Sequence, residues 1–584
     1  MKNCKRTSEV SCWGVVAPIC LMSLSLGLFL ISGATTEASS APVSAATGSV
    51  SGGISDSAGH PLAEAFVTLA ADPPVMQATV VTRNNGTFSV ELPAGLYKAV
   101  AELRGYAKND PKPVVVRSGQ KAEIKIALHA NKDGMALESQ ISGSELLSLL
   151  PEEDRKTLIH RCAACHSMAV LGGKRLNKEG WEKIVQRMSL KEPGGRGEAD
   201  TLAPWEQNPW SGATEVLVKH FSPGAATLRY DPFPIHNTPD HLSKVVVKEY
   251  RLKRPETNVH DITLDTTGRR IWYDDQESGE VAKTGWFGWY DPLTMESKEY
   301  QVPQCPGFGG RILGDRTGRV WVGCKKALAY WSPETDQITV FPMDKYGMRE
   351  LWTVDSNGDA YTILRGRNVD PNGDPKYSFI GKFNTHTKEW TLFKVPTPWG
   401  NPYEVAPDSK DNIWFTEIAT DKIGKLDPRT GTFTEYPVPT KESNPRRFAI
   451  DSKDNVWFTE YSTNKIGMVD PLTGKVTEYE VPTPNSIPYA CSVDKNDVVW
   501  FSEIGAMRLA RFDLKTKTFR EYPIPDRLSS MKKLDFTYSG GKEIVWASDR
   551  TGPTIIEFDI PNRALVGCQR FVGNGIETEA RGKH

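Results

Sequence analysis

The stretch DSKDNIWFTEIATDKIGKLDPRTGTFTEYPVP, residues 408–439, decides the fold, because the chain repeats it twice more in looser form. The later copies begin at Asp451 and Asp494, so the repeat is 43 residues long. Each copy predicts four short strands: one ends at the aspartate, one passes through the WFTE-type motif, one covers the IGKLD-type run and one the TEYPVP-type run. Four strands in a repeat of this length are typical of one blade of a β-propeller.

More distant copies lie before and after these repeats, so the sequence predicts a seven-bladed β-propeller over residues 244–573. An aromatic residue recurs at the same place in each copy: Trp272, Trp321, Tyr361, Trp414, Trp457, Trp500 and Trp546. Each of these side chains is expected to fill the space between two blades, so that every blade depends on its neighbours. The sequence offers two segments that could close the ring, VVVKEYRLKRP from Val245 and residues 564–571, and it does not decide between them.

A five-residue motif ahead of the propeller, Cys162-Ala163-Ala164-Cys165-His166, has the spacing of covalent haem attachment. Each thiol adds across one haem vinyl group, and the adjacent His166 becomes an axial ligand of the iron. Two cysteines at this spacing also fit a zinc half-site or a redox dithiol, but the histidine that follows them favours haem. We therefore expect haem c as a covalent cofactor, bound through Cys162 and Cys165.

The residues around this motif, 144–225, predict a small all-α domain that resembles class I cytochrome c domains. The segment GWEKIVQRM places four apolar residues, the last of them Met188, on one face of a helix. A thioether ligand raises the haem potential and suits electron transfer, so we expect Met188 as the sixth ligand of the iron. His160 and His220 are the alternatives, and ligation by either would give a bis-histidine haem of lower potential.

Residues 1–45 predict a secretory signal, in which Lys2, Lys5 and Arg6 precede an apolar run over residues 14–31. The run falls short of the roughly 20 apolar residues that a membrane helix needs, so we expect no membrane span in the mature chain. An uncleaved anchor is the alternative. Because bacteria attach haem covalently outside the cytoplasm, the signal and the haem motif both predict a periplasmic or secreted protein.

Residues 47–129 alternate apolar and polar residues in short runs between turn signals, which predicts a small β-sandwich. The order of GSVSGGISDSAGHPLAEAFVTL and TRNNGTFSVELPAGLYKAVAELRGY resembles the carboxypeptidase regulatory-like family, whose fold is often grouped with carbohydrate-binding folds. The resemblance implies a spacer or an adhesive unit, and carbohydrate is the partner expected in the second case.

The WFTE, IGK and TEYPVPT motifs of the propeller resemble the streptogramin lyase family, also called virginiamycin B lyases. Lyases of this family open a cyclic antibiotic by elimination, and the resemblance implies Mg²⁺ held by carboxylates beside a histidine base at the propeller mouth. The turns that would carry the histidines read NPYEV at Asn401, NPRRF at Asn444 and IPYAC at Ile487. His260 is therefore the candidate catalytic base, since His386 falls in a turn predicted on the outer rim.

Two sets of charged residues are further candidates for ligand binding at the mouth. Three glutamates occupy equivalent places in successive repeats: Glu417, Glu460 and Glu503. Such repetition fits either a cation site or hydrogen bonding within each blade. Three arginines lie at blade entrances: Arg349, Arg446 and Arg447. They predict a mouth that offers positive charge to an anionic ligand or a partner protein.

Four cysteines remain outside the signal and the haem motif. Cys305 and Cys324 lie close to one predicted hairpin and could form a disulfide in an oxidising compartment. Cys491 and Cys568 fall on unlike strands, and both are expected to be buried thiols.

The sequence thus predicts a multidomain, mainly β protein, with a β-sandwich and a small all-α cytochrome c domain ahead of a seven-bladed β-propeller. One function that fits is single-electron transfer, with the propeller binding a redox partner protein or a small-molecule substrate. The other is a metal-dependent C–O lyase with an accessory haem domain. Fusion favours the first, because it raises the effective concentration for electron delivery, whereas an elimination needs no electrons. The net charge of −1 argues against nucleic acid as a main partner.

Overall fold

The structure is a computed structural model. It describes residues 46–163, 167–189, 212–229, 231–237, 239–276, 284–303, 305, 311–324, 326–343, 345–346, 352–365, 369–525, 529–539, 542–561, 571–572 and 576–577. The predicted signal, the haem-motif residues Cys165 and His166, and the candidates Arg349 and Cys568 lie outside these residues. None of the helices among the described residues is both long and apolar enough to cross a membrane.

Eight strands form the predicted β-sandwich: β1 (Thr47–Asp56), β2 (Phe66–Ala71), β3 (Met76–Val81), β4 (Thr87–Pro93), β5 (Gly95–Glu102), β6 (Tyr106–Ala107), β7 (Lys112–Val116) and β8 (Lys121–Ala130). One sheet has the order β4-β1-β8-β6, and the other contains the run β3-β2-β5-β7. Strand β4 shows why the sequence folds this way, because Phe88, Val90 and Leu92 are buried while the residues between them face solvent.

In the described part of the chain after the sandwich there are six short helices, α1 (Gly134–Glu138), α2 (Gly143–Ser148), α3 (Glu152–Arg161), α4 (Lys178–Ser189), α5 (Ala213–Phe221) and α6 (Pro239–Leu242), with a 3-10 helix at Met168–Leu171 between α3 and α4. A capping box begins α2, in which Ser142 and Glu145 satisfy each other's backbone N–H groups. Leu158, Trp181 and Phe221 come from α3, α4 and α5 and are fully buried in one apolar cluster. Helices α3, α4 and α5 thus lie within residues 144–225, where the sequence predicts helices.

A single strand, β9 (Val246–Arg251), precedes the propeller repeats. Within the described residues these repeats form six separate four-stranded antiparallel sheets and a seventh blade that is part of a larger sheet. The first three sheets are formed by β10 (Val259–Leu264), β11 (Ile271–Asp275), β12 (Thr284–Asp291) and β13 (Glu296–Pro303); β14 (Ile312–Gly314), β15 (Val320–Gly323), β16 (Ala327–Ser332) and β17 (Gln337–Pro342); and β18 (Thr353–Val354), β19 (Ala360–Arg365), β20 (Ser378–Phe383) and β21 (Trp390–Lys394).

The three most regular blades follow, and then the last one. Their strands are β22 (Pro402–Pro407), β23 (Ile413–Glu417), β24 (Lys422–Asp427) and β25 (Thr432–Pro437); β26 (Pro445–Ile450), β27 (Val456–Glu460), β28 (Lys465–Val469) and β29 (Val476–Glu480); β30 (Pro488–Val493), β31 (Val499–Glu503), β32 (Arg508–Asp513) and β33 (Thr518–Pro523); and β34 (Leu534–Ser539), β35 (Lys542–Asp549) and β36 (Thr554–Pro561). Two short strands, β37 (Phe571–Val572) and β38 (Ile576–Glu577), pair with each other.

Strand β9 closes the ring, which decides between the two segments that the sequence left open. It pairs antiparallel with β36 and completes the seventh blade. Its other edge pairs with β3 of the sandwich, so one eight-stranded sheet runs from the last blade into the N-terminal module. Val247 and Tyr250 are buried on this strand, and Lys248 forms an ion pair of 2.6 Å with Glu557 of β36. The sandwich is therefore joined to the propeller through backbone hydrogen bonds.

The recurrent aromatic residues are buried, as predicted, and a hydrogen bond explains their spacing from the repeat aspartates. The indole N–H of Trp414 donates to Asp408 at 3.0 Å, and Trp457 donates to Asp451 at the same distance. The Asp408 carboxylate also accepts two backbone N–H groups of its own turn. One side chain thus sets the turn between the first two strands and holds the tryptophan between blades.

The cysteine predictions that fall on the described residues are confirmed. Cys305 and Cys324 form a disulfide, with their Cα atoms 5.7 Å apart. Cys491 is a buried thiol on β30.

Candidate functional site

The first strands of neighbouring blades pack side by side, and we call the end of the propeller at their first residues the mouth. Strand register identifies equivalent positions there: three residues before the partner of the repeat aromatic lie His260, Tyr403, Arg446, Tyr489 and Lys532. Four of these residues are aromatic or cationic in addition to the histidine singled out from the sequence.

Tyr403, Arg446, Tyr461, Tyr489 and Lys532 form a compact group that we call the mouth cluster. The hydroxyl oxygens of Tyr403 and Tyr489 lie 2.6 Å apart. The Arg446 guanidinium carbon lies 4.4 Å from the ring centroid of Tyr403, 5.3 Å from that of Tyr461 and 5.4 Å from that of Tyr489. The Lys532 ammonium lies 3.8 Å from the Tyr489 ring centroid. Two cations therefore pack on three phenol rings.

The two hydrogen-bonded phenols of the mouth cluster have opposite acidities. Burial raises the pKa of Tyr403 far above its usual value, and the neighbouring Tyr489 adds to the increase. Burial acts on Tyr489 in the same direction, but Lys532, Arg446 and Arg447 together outweigh it and lower the pKa of Tyr489 to about 7. Near neutral pH the cluster can therefore hold one phenol as a hydrogen-bond donor and the other as a phenolate.

A layer of buried charges lies one residue further along the first strands. Arg447 donates to both carboxylate oxygens of Asp261, at 2.7 and 3.1 Å, and Arg311 donates to Glu404 at 2.6 Å. Lys533 belongs to the same layer, where burial and the nearby Arg311 lower its pKa. Of the predicted arginines, Arg447 is thus neutralised by a carboxylate, whereas Arg446 packs on tyrosine rings.

His260 is buried, and its Nδ1 lies 3.0 Å from the Asp261 carboxylate. Burial lowers the pKa of His260 to about 4, although Asp261 opposes the shift, so the imidazole is neutral at neutral pH. A neutral imidazole can accept a proton, so its role as a base stays a prediction. His386 is exposed in the turn between β20 and β21, as predicted.

Each of the three equivalent glutamates lies at the end of the second strand of its own blade. Glu417 lies against Glu435 of the same blade, and Glu460 lies against Glu478. Burial raises the pKa of both Glu417 and Glu460 to about 8, so each is neutral at pH 7. Each accepts a hydrogen bond from the threonine three residues later in the same blade, at 2.9 and 2.7 Å. This arrangement favours hydrogen bonding within the repeat over a shared cation site. The described part of the chain contains no group of three or more His, Cys, Asp or Glu residues placed to hold a metal ion.

The end of α3 lies over the mouth cluster. The Tyr461 hydroxyl donates to the backbone carbonyl of Ile159 at 3.1 Å, and the Ser462 hydroxyl lies 3.4 Å from His160 Nδ1. Cys162 follows directly as the C-terminal cap of α3 and is half-buried against the apolar cluster. The first cysteine of the haem motif is therefore carried on the helix that contacts the propeller mouth.

Further contacts fix α2 to the next blade, which β30 to β33 form. Asn485 donates to the Ser148 hydroxyl of α2 at 2.7 Å, and the backbone N–H of Ser144 donates to the Gly505 carbonyl at 2.7 Å. A cavity of about 480 Å³ adjoins this contact, with Ile159 and Ser462 among its lining residues.

The three candidates for the sixth iron ligand have different surroundings. His220 Nε2 lies 2.8 Å from the Asp154 carboxylate, and His160 faces Ser462 of the propeller. Met188 is half-buried in the last turn of α4. Both histidines thus have polar partners, and ligation by Met188 stays a prediction.

Sequence reasoning missed Tyr403, Tyr489 and Lys532 as site residues. The sequence did contain a signal for the two tyrosines, because NPYEV and IPYAC hold them at the positions where the family resemblance implies histidines. Packing of Lys532 against Tyr489 depends on neighbouring blades and on the irregular start of β34, which no motif marks.

Two family models match parts of this chain. Residues 318–559 match the model of the virginiamycin B lyase family, and residues 49–129 match the carboxypeptidase regulatory-like domain. No curated protein matches the chain. A streptogramin B lyase structure is 24% identical, with 54% of this chain and 98% of that chain covered at a TM-score of 0.45. A catalytically inactive virginiamycin B lyase from Staphylococcus aureus with quinupristin is 21% identical, with 55% of this chain and 100% of that chain covered at a TM-score of 0.46. The chain therefore combines a virginiamycin B lyase-like propeller with a carboxypeptidase regulatory-like module.

Proposed function

We propose that this protein is an exported c-type haem protein that exchanges single electrons with a small molecule or a partner protein bound at the propeller mouth. The observation that carries the proposal is the contact between the end of α3 and the mouth cluster. Cys162 ends the helix whose Ile159 carbonyl accepts the Tyr461 hydrogen bond. A group attached at Cys162 lies close to whatever the mouth binds.

The described residues around Cys162 fit a haem. Cys162 packs against the same apolar cluster as Ile184 and Val185 of α4, and all three side chains keep part of their surface exposed. A half-buried thiol beside a partly open apolar surface supports the attachment of an apolar haem edge at this position. Cys162, Cys165 and His166 would hold the group, with Met188 as the sixth ligand, and the haem would supply one-electron chemistry.

Other parts of the proposal follow from the sequence. The helical residues 144–225 would form the cytochrome domain, and the signal would direct the protein to the periplasm or outside the cell. The β-sandwich would serve as a rigid spacer or bind carbohydrate. Its continuous sheet with the seventh blade supports the first of these roles.

The test uses holoprotein matured in cells with cytochrome c assembly. Candidate electron donors are added, and absorbance is used to measure the rate at which the haem is reduced. For a donor that binds at the mouth, Arg446→Met should slow reduction at least tenfold. It should leave reduction by dithionite, which needs no binding site, unchanged. Arg429→Met, at an exposed arginine of an outer turn, is the matched control and should behave as wild type. Equal rates for all donors in Arg446→Met and wild type would contradict a mouth-bound donor.

A second candidate is the metal-dependent lyase, which the family match over residues 318–559 favours. In that case the mouth would bind Mg²⁺, and His260 would act as the base of a C–O elimination. Incubation with a cyclic streptogramin B and Mg²⁺ should then give the linear product, and His260→Ala should abolish it while haem reduction is retained. Linear product that forms at the wild-type rate in His260→Ala would contradict His260 as the base of the elimination.

A further inference from the structure

The environment of Tyr489 is built from cations and phenols. Lys532 packs on one face of its ring, and Arg446 and Arg447 lie 5.4 and 6.0 Å from the ring centroid. Tyr403 meets its hydroxyl at 2.6 Å, and the Tyr461 ring lies 6.1 Å away from its own ring. On the side of the helices it packs in the apolar cluster of α3. Three cations thus surround Tyr489, of which Arg447 is also paired with the Asp261 carboxylate.

Such a setting separates the two phenols into an acid and a base. An anion buried beside several cations is stabilised more than it would be in water, because the local dielectric is low. The short hydrogen bond also lets Tyr403 donate to a phenolate at Tyr489. Pairs of titratable groups whose surroundings drive their acidities apart are the usual acid and base of a site.

We propose that Tyr403 and Tyr489 form a proton-accepting pair at the propeller mouth, in which Tyr489 stands as a phenolate and phenol-class ligands give their proton to the pair. Tyr489 is only 1% exposed, whereas Tyr403 and Arg446 keep part of their surface open. A ligand therefore reaches Tyr403 first. The ligand O–H bond breaks and its proton goes to Tyr403, as the Tyr403 proton passes to Tyr489. The negative charge moves from Tyr489 to the ligand, and Arg446 lies beside it.

A phenol is the ligand class that fits this pair. A free phenol has about the acidity of an ordinary tyrosine and is therefore a weaker acid than Tyr489, so the transfer requires Arg446 to stabilise the ligand anion as the cations stabilise Tyr489. Tyr403 and Tyr461 offer aromatic rings, and the flat guanidinium of Arg446 stacks on such rings. This proposal does not depend on haem, since every group in it belongs to the described propeller.

The first test measures tyrosinate by near-ultraviolet absorbance during a pH titration of the full chain, as a difference between wild type and Tyr489→Phe. Any haem absorbance is common to both proteins and cancels. One tyrosinate should appear near neutral pH, far below the ordinary tyrosine pKa of about 10. Lys532→Met should raise its midpoint by at least one pH unit, a tenfold change in proton affinity. Tyr479→Phe, which changes a tyrosine of an outer strand, should leave the transition unchanged.

The second test uses 4-fluorophenol as the probe and follows it by ¹⁹F NMR at a pH at which the free phenol is neutral. The bound resonance should move towards that of fluorophenolate in wild type, and the movement should be lost in Lys532→Met and Tyr489→Phe. A phenol that does not bind, or that binds and stays neutral, overturns the ligand class. The absence of a near-neutral tyrosinate overturns the pair itself, and Lys532→Met provides that result should Tyr489→Phe fail to fold. Neither measurement requires haem, so either failure is distinct from a failure of the proposed electron transfer.

Discussion

Replacement of Arg447 by methionine tests the buried charge layer beneath the mouth. Both partners of the Arg447–Asp261 pair are at most 1% exposed, and two hydrogen bonds of 2.7 and 3.1 Å join them. At an effective dielectric of about 20, unit charges at these distances attract by about 5 to 6 kcal/mol. The variant loses this attraction and leaves the Asp261 carboxylate buried without its cation. Removal of one partner from a buried pair costs about 3–5 kcal/mol, which is the expected loss in unfolding free energy.

The assay is urea unfolding followed by tryptophan fluorescence, since the buried tryptophans report on the propeller. The paired arginine lowers the pKa of Asp261, so in wild type this pair stabilises the fold above the unfolded pKa of about 4 and loses its effect as pH falls. The deficit of Arg447→Met should therefore shrink at low pH, where Asp261 can take up a proton. The double variant Arg447→Met/Asp261→Asn should recover part of the loss. A deficit below about 1 kcal/mol, as for an exposed ion pair, would refute the reasoning.

Three further changes test the repeat and its surroundings. The pKa of Glu417 and Glu460 is about 8, so their neutral forms stabilise the fold below the unfolded pKa of about 4.3, and this contribution declines as pH rises towards 8. Melting temperatures of Glu417→Gln and Glu460→Gln should consequently fall less than that of wild type between about pH 5 and pH 8; an unchanged slope would contradict neutral glutamates. Cys324→Ser opens a loop with a sequence separation of 19 residues, and the propeller should lose about 3 kcal/mol in urea unfolding. Reduction of wild type should reproduce that loss, and no change in either case would show that the disulfide does not stabilise the fold. Gly467→Ala would place a Cβ 2.1 Å from the Phe458 ring, so we expect a loss of about 1–3 kcal/mol, whereas Gly53→Ala meets no atom within 4 Å and is the control.

Much of the propeller could be predicted because the interactions that shape each blade join residues close together in the repeat. The aspartate and the tryptophan six residues later are hydrogen-bonded within one blade, so local sequence contains the whole interaction. Gly424 and Gly467 make room for the phenylalanines opposite them, which explains the glycine of the IGK-type motif. The strand that closes the ring could not be predicted, because β9 is far in sequence from β36 and both candidate segments had residues suited to a strand. The pairing of β9 with the sandwich was not visible in any local pattern.

The sequence predicted the position of the candidate site better than it predicted which residues form it. The NPYEV, NPRRF and IPYAC turns mark the position at the start of the first strand, but they hold tyrosine or arginine where the family resemblance implies histidine. What makes Tyr489 acidic is the approach of Lys532 and Arg446 from separate blades, and such convergence depends on tertiary packing. The contact of α3 with Tyr461 likewise joins residues that are 302 positions apart in the chain.

The central claim, a haem carried at the mouth of the propeller, is tested most directly by the mass of the intact protein. The protein should be matured in cells with cytochrome c assembly, and its mass compared with that of Cys162→Ser/Cys165→Ser. We expect wild type to exceed the polypeptide by one haem and to show a reduced-minus-oxidised spectrum of haem c. The double variant should show neither. A colourless wild-type protein whose mass is that of the polypeptide alone would contradict the account.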